Sequence, residues 1–278
     1  MESLFAAAVE CLSTPLPDVR VQLTEAAVED WRGGRLSLEA GIAPAPTEPA
    51  RPERPHLVAP QDVPRRRLRS IRGRAAFVHA LAHIEFNAIG LAWDCVARFR
   101  EMPSAFYDDW IGVAADEAKH FTMLRTRLRH LGAEYGDFDA HDGLWEMAGK
   151  TRHDVLARMA MVPRVLEARG LDVTPGMIER LRDSGDPATA AALEVILEEE
   201  VGHVAAGTRW FRHECERRGL DPLVTFRDTV ARYWSGRRLP PTNRAHRLRA
   251  GFTDEELRAL IEDAGDYGAK KPSGVKAV

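Results

Sequence analysis

Glu-x-x-His occurs twice in the chain, as Glu117-Ala118-Lys119-His120 and as Glu200-Val201-Gly202-His203. Residues three apart share one helix face, so each pair can grip one metal ion. A match this short arises by chance in a chain of this composition, so its surroundings decide its meaning. The face that carries Glu117 also carries Trp110, Val113, Ala114, Phe121, Leu124 and Leu128. The face of Glu200 carries Leu193, Ile196, Leu197, Val204 and Phe211. Both motifs therefore point toward a core. A carboxylate buried there alone is strongly destabilising, and a metal ion removes that penalty.

Two further segments each supply a glutamate on an apolar face. Glu85 aligns with Val78, Leu81, Ala82, Ala88, Ile89 and Ala92, and Glu167 aligns with Leu156, Met159, Ala160, Pro163 and Leu171. Glu85 and Glu117 are 32 residues apart, and Glu167 and Glu200 are 33 apart. The midpoints fall near Glu101 and near Asp183-Ser184, where the sequence signals turns. Residues equidistant from the turn of an antiparallel helical hairpin lie at the same height. Each glutamate thus meets a Glu-x-x-His across its hairpin, and the unit occurs twice. Six ligands in two equivalent halves, Glu85, Glu117, His120, Glu167, Glu200 and His203, is the pattern of dinuclear carboxylate bundles. The competing reading joins the helices by buried salt bridges, and it must explain four inward glutamates with few inward cations.

Long helices are needed to hold these residues, and the sequence predicts four, over 65–100, 104–131, 151–169 and 187–218. Gly132, Gly170 and Gly219 end the last three, and Pro163 is expected to kink the third. Shorter helices are expected over 3–12, 18–33, 175–184, 222–234 and 253–263, the last with Thr253 and Glu256 as a capping box. The proline-rich stretch 41–64 is expected to be extended. Residues 132–150 and 237–249 read as connections and the tail 267–278 as disordered. No strand pattern stands out. The expectation is an all-α fold in three parts: N-terminal helices and a proline-rich linker over 1–64, a four-helix bundle with a long crossover over 65–220, and a helical extension and tail over 221–278.

The bulk properties narrow the partners. With 45% hydrophobic and 29% charged residues the composition is that of a globular protein, and a net charge of −3 gives no general attraction to nucleic acid or anionic membrane. Cys11, Cys95 and Cys215 are scattered and form no CxxC pair, which excludes a zinc ribbon and a disulfide framework. The start MESLFAAAVECLST lacks a basic leader region, and no run is expected to approach a membrane span, so a cytoplasmic location is expected. Arg65, Arg66, Arg67, Arg69, Arg72 and Arg74, and Arg237, Arg238, Arg244, Arg247 and Arg249, read as solvated helix ends and salt bridges in preference to a groove for RNA or another phosphate-bearing substrate. His79 and His83 lie four apart but off the Glu85 face, and they read as surface or packing residues.

The segment Asp116-Glu117-Ala118-Lys119-His120 resembles the Asp-Glu-x-Arg-His motif of the ferritin-like di-iron carboxylate superfamily, with Lys119 where arginine is common. HIEFNAIGLAWD, DEAKHF, VPRVLEARGLDVTP and EEEVGHVAAGTRWF extend the likeness over about 70–220, to an uncharacterised bacterial family of ferritin-like proteins known only as a domain of unknown function. The bacterial tRNA methylthio-isopentenyl-adenosine hydroxylases are more distantly similar. The resemblance implies a ferritin-like bundle, and it implies that Asp116 and Glu199 orient the metal-bound histidines.

A carboxylate-rich set with nitrogen ligands suits two iron ions, or one manganese and one iron. In that reading Glu117 and Glu200 bridge, Glu85 and Glu167 are terminal or shifting ligands, and each histidine caps one ion. The expected function is an O₂-dependent oxygenase or oxidase acting on a small molecule or a modified nucleoside, served by an electron-donor protein. A ferroxidase or iron store, and a metal-bearing interaction protein without turnover, are the alternatives. A homodimer is compatible with all three.

Overall fold

The computed structural model describes residues 2–39, 44–63, 67–234 and 240–269, with side chains to residue 264. Arg65, Arg66, Arg237 and Arg238, together with most of the tail expected to be disordered, lie outside the described residues. The protein is all-α, as expected. The chain resolves into two units, one of residues 1–155 and 176–199, the other of 156–175 and 200–278.

The first unit is organised on α3 (Ile71–Arg98) and α4 (Ser104–His130), which pack along each other. Ser70 caps α3 by accepting a hydrogen bond from the Gly73 amide at 3.0 Å. Pro103 precedes α4, and Arg127, Arg129 and His130 in its last turn oppose the negative end of its dipole. α1 (Leu4–Ser13), α2 (Pro17–Arg32) and α5 (Gly143–Thr151) cover this pair, α1 and α5 against α3 and α2 against α4. Trp93 and Trp110 are buried in it, as expected of core residues.

Of the stretch 41–64 expected to be extended, the described residues 44–59 hold no helix, and Pro60–Asp62 departs from the expectation as a single 3-10 turn that proline at its first position permits. The register of the stretch is set by main-chain contacts, Ala50 N to Leu12 O at 2.8 Å and Val58 N to Ala140 O at 2.8 Å. The buried Arg20 guanidinium donates to Ala50 O at 2.6 Å and to Thr14 O at 2.7 Å. Asp186 accepts from Thr189 N at 3.1 Å, which starts α8 (Pro187–Arg218), and from Arg127 at 2.8 Å, which ties that start to the end of α4.

Several details depart from the sequence expectation. α3 is long and apolar enough to cross a membrane by length and composition, contrary to the expectation that no run would be. It is apolar on most sides because α1, α4 and α5 enclose it, and 72% of its most apolar window is buried. Glu2–Ser3 and Leu36–Ser37 pair as a two-residue parallel ladder, too short to leave an alternating pattern. Part of the expected 132–150 connection is α5.

The third long helix is also differently built. It is assembled from α6 (Val155–Met161), a π-helical segment over Val162–Glu167, and α7 (Ala168–Asp183). Pro163 therefore gives a widened turn, since it has no amide to donate and its ring needs room. Gly170 does not end the helix. It keeps helical backbone, and a Cβ there would meet nothing within 4 Å.

In the second unit Gly207 of α8 faces Pro163, and a Cβ built on Gly207 would lie 2.2 Å from the proline Cγ. α9 (Pro222–Tyr233), α10 (Arg244–Arg249) and α11 (Asp254–Ala269) follow. α10 replaces part of an expected loop because the Asn243 side chain caps it, accepting from His246 N at 3.3 Å. The capping box of α11 is present, with Thr253 N to Glu256 Oε2 at 2.8 Å and Glu256 N to Thr253 Oγ at 3.1 Å.

Candidate metal centre

Glu85 sits in the middle of α3, and Glu117 and His120 sit one turn apart on α4. All three are buried, His120 completely. The His120 Nδ1 atom lies 3.5 Å from Glu85 Oε2 and 3.6 Å from Glu117 Oε2. The equal distance of Glu85 and Glu117 from the turn thus brings them to one imidazole, as the spacing predicts.

The far side of that imidazole is fixed. Its Nε2–H donates to Glu199 of α8 at 2.7 Å. Glu199 also accepts from Lys119 Nζ at 2.6 Å, and Lys119 reaches back to Asp116 at 3.4 Å. A carboxylate on Nε2 orients the ring and directs Nδ1 at the two glutamates. Burial raises the Glu199 pKa, but Lys119 and His120 outweigh it and hold the carboxyl below its usual range.

Glu200 is the next residue of α8. Glu85, Glu117, His120 and Glu200 each offer one ligand atom, and these atoms lie within 4.8 Å of one another. Three carboxylate oxygens and one imidazole nitrogen at this separation are donors for a divalent cation of iron or manganese type, and in this respect the residues fit a metal. Burial alone would drive the proton off His120. Glu117 and Glu85 outweigh burial and raise its pKa to about 10 in the metal-free protein. A cation held by these residues would compete with that proton for Nδ1.

The second unit holds the other three expected ligands. Glu167 is the last residue of the π-helical segment. His203 is buried, with Nδ1 at 3.4 Å from Glu200 Oε1, so the second Glu-x-x-His pair also converges on one point.

The other candidates fall outside the cluster. His79 and His83 are packing residues, though buried ones and not surface ones. His79 accepts from Gly136 N at 2.9 Å and stacks on Tyr135, while His83 bonds Tyr135 Oη at 2.9 Å and Asn87 at 3.1 Å. Burial, with His79 beside it, pushes the His83 pKa down to about 4. Cys11, Cys95 and Cys215 are free and buried. Trp145 and Trp210 are core residues.

Two features were missed at the sequence level. One is the part played by Lys119, whose only local signal is its position between Asp116 and His120. The other is buried arginine: Arg20, Arg158 and Arg164 are each 1% exposed, against an expectation of few inward cations.

A family model described as "Protein of unknown function (DUF455)" matches residues 13–258. A protein of Haemophilus influenzae described as uncharacterized is 44% identical over 228 residues, which cover 80% of this chain and 79% of that protein. No solved structure matches. The chain belongs to the DUF455 family.

Proposed function

We propose that this DUF455 protein is a cytoplasmic, ferritin-like four-helix bundle that holds two metal ions, iron in both positions or manganese in one, and uses them for O₂-dependent oxidation of a small-molecule or modified-nucleoside substrate. The observation that carries the reading is the convergence of buried Glu85, Glu117 and His120 with half-buried Glu200 within 4.8 Å. Glu167 and His203 complete the proposed set. When bound, the metals would supply O₂ activation, which side chains alone do not provide.

The chain's own residues have separable tasks in this reading. Glu85, Glu117, Glu167 and Glu200 supply negative charge that balances the cations. His120 would offer Nδ1 to a cation while its Nε2–H stays donated to Glu199. Lys119 holds Glu199 in place across α4 and α8. Phe86 and Phe121, with ring centroids 5.3 Å apart, are an apolar packing pair one residue along from Glu85 and from His120. They keep that part of the helix pair dry.

The test is metal content after growth in iron-supplemented medium, for the wild type and for Glu117→Ala and Glu200→Ala. About two ions per chain, lost from both variants while the helical signal persists, is the expected result. Stoichiometric metal retained by both variants, or none in the folded wild type, removes the dinuclear reading and the oxidase reading with it.

A further inference from the structure

A cavity in the first unit stands apart from the proposed metal ligands and needs no metal. His83, Phe86 and Asn87 follow one another at helical spacing along α3 and share a face, while Glu85 falls on the other side of that helix. These three residues line a cavity of about 230 Å³, together with Tyr135, Trp145 and the proline-rich stretch between Pro49 and Leu57.

The walls are held in place. Arg20, 1% exposed, donates from Nη2 to Ala50 O at 2.6 Å and to Thr14 O at 2.7 Å. Arg51 pairs with Asp142 at 2.6 Å, and Ala140 N donates to His56 O at 3.0 Å. Trp145 lies against α3 because residue 90 is glycine: a Cβ there would come within 2.8 Å of Trp145 Cζ2.

Two polar groups of the lining are left over. Asn87 is 7% exposed, and its Nδ2 donates to His83 Nε2 at 3.1 Å. The imidazole proton therefore sits on Nδ1, 2.9 Å from Tyr135 Oη. Facing an N–H, the Tyr135 oxygen accepts and keeps its own proton for another acceptor. Burial raises the Tyr135 pKa and holds that proton on the phenol. Neither this proton nor Asn87 Oδ1 has a partner among the described residues. Asn87 Oδ1, unlike Arg20 Nε, is not shut off by its neighbours. A polar atom of a buried side chain in that condition points to a partner that the chain does not supply.

We propose that this cavity binds a planar aromatic ring bearing a neutral amide, whose N–H donates to Asn87 Oδ1 and whose carbonyl accepts from the Tyr135 hydroxyl. Phe86, Trp145 and the prolines of the stretch offer the ring apolar surface. A dry cavity of about 150 Å³ holds benzene, so this one has room for a ring with an amide. An anion is disfavoured. Glu53 and Asp142 are among the lining residues, Arg51 is already neutralised by Asp142, and the Arg20 guanidinium is engaged by Ala50 and Thr14.

The test is calorimetric titration of the full-length protein with benzamide, with methyl benzoate, which keeps the carbonyl but has no N–H, and with benzoate, which is charged. Benzamide is expected to bind at least tenfold more tightly than either, since both leave Asn87 Oδ1 unpaired. Tyr135→Phe removes a single oxygen and should weaken benzamide about tenfold. Asn87→Leu takes its place, with the same expectation, if that variant does not fold. No binding of benzamide, benzamide no tighter than the ester, benzoate bound more tightly than benzamide, or an unchanged benzamide affinity in the folded variant would each overturn the proposal.

Discussion

Replacing Gly207 by alanine should destabilise the protein, although alanine is the better helix former. Gly207 and Gly202 both lie within α8, Pro187–Arg218. In a helix interior, alanine exceeds glycine by about 1 kcal/mol. At Gly202 a Cβ would meet nothing within 4 Å, so Gly202→Ala should realise that gain. At Gly207 the new atom would lie 2.2 Å from Pro163 Cγ and 2.3 Å from Pro163 Cβ. Carbon atoms pack at roughly 3.5–4.0 Å. The proline ring cannot swing aside as a flexible side chain would, so α8 or the π-helical segment has to move. Overpacking of this kind costs about 1–3 kcal/mol, and a rigid neighbour puts the cost toward the upper end. Net of the helical gain, Gly207→Ala should lose about 2 kcal/mol, while Gly202→Ala gains up to ~1 kcal/mol.

Urea unfolding followed by circular dichroism measures both, provided the slope with denaturant is the same in all three proteins. The midpoints should move in opposite directions. If Gly207→Ala is as stable as the wild type, or moves with Gly202→Ala, then Pro163 is not seated against Gly207 and the packing account of the π-helical segment is wrong.

Two further outcomes follow from the site and from its packing residues. Glu199→Ala should lower metal affinity by about 10–100-fold, the usual effect of removing a carboxylate that orients a ligating histidine. Its melting temperature should change little, because Glu199 is partly exposed; unchanged affinity in a competition titration with a chelator would refute the orienting role. His83 should make the protein acid-sensitive. Its folded pKa is depressed to about 4 from the ordinary 6.5, so below pH 6.5 the unfolded chain takes up a proton that the folded protein refuses. Stability attributable to this group is intact above pH 6.5 and lost as pH falls toward 4, by about 3 kcal/mol in all. His83→Gln should flatten the stability–pH curve in that window, and parallel curves for the two proteins would count against the buried neutral imidazole.

The sequence carried the convergence of Glu85, Glu117 and His120 because two simple regularities act there together. An apolar face fixes which way each helix points its ligands, and equal distance from a turn fixes their height. Both are properties of nearby residues, and the structure places the three side chains accordingly. Two helix starts were legible for the same reason, the one behind Pro103 and the one at the Thr253–Glu256 box, whereas the helix expected from 65 begins at Ile71, behind a Ser70 cap that the sequence reading did not single out. Gly170 shows the limit of that logic, since a glycine ends a helix only where the chain turns into positive φ, and Gly170 does not.

What escaped the sequence depends on partners distant in the chain. Pro163 reads locally as a kink. It becomes a widened turn because a glycine in another helix leaves space for its ring, and nothing within ten residues of Pro163 announces Gly207. The same widening shapes the backbone between Arg164 and Glu167, so one turn carries a guanidinium enclosed by three phenyl rings and a proposed metal ligand. Arg164 looks solvent-bound in sequence because an arginine normally is. It is buried because Phe211, Phe226 and Phe252 enclose it and Glu256, 92 residues away, answers part of its charge. Glu256 is in turn held by its own capping box. The residue that sequence reading assigned to a helix start therefore also neutralises a buried cation. Such double use is what single-residue patterns cannot reveal, because each half of the role looks complete alone.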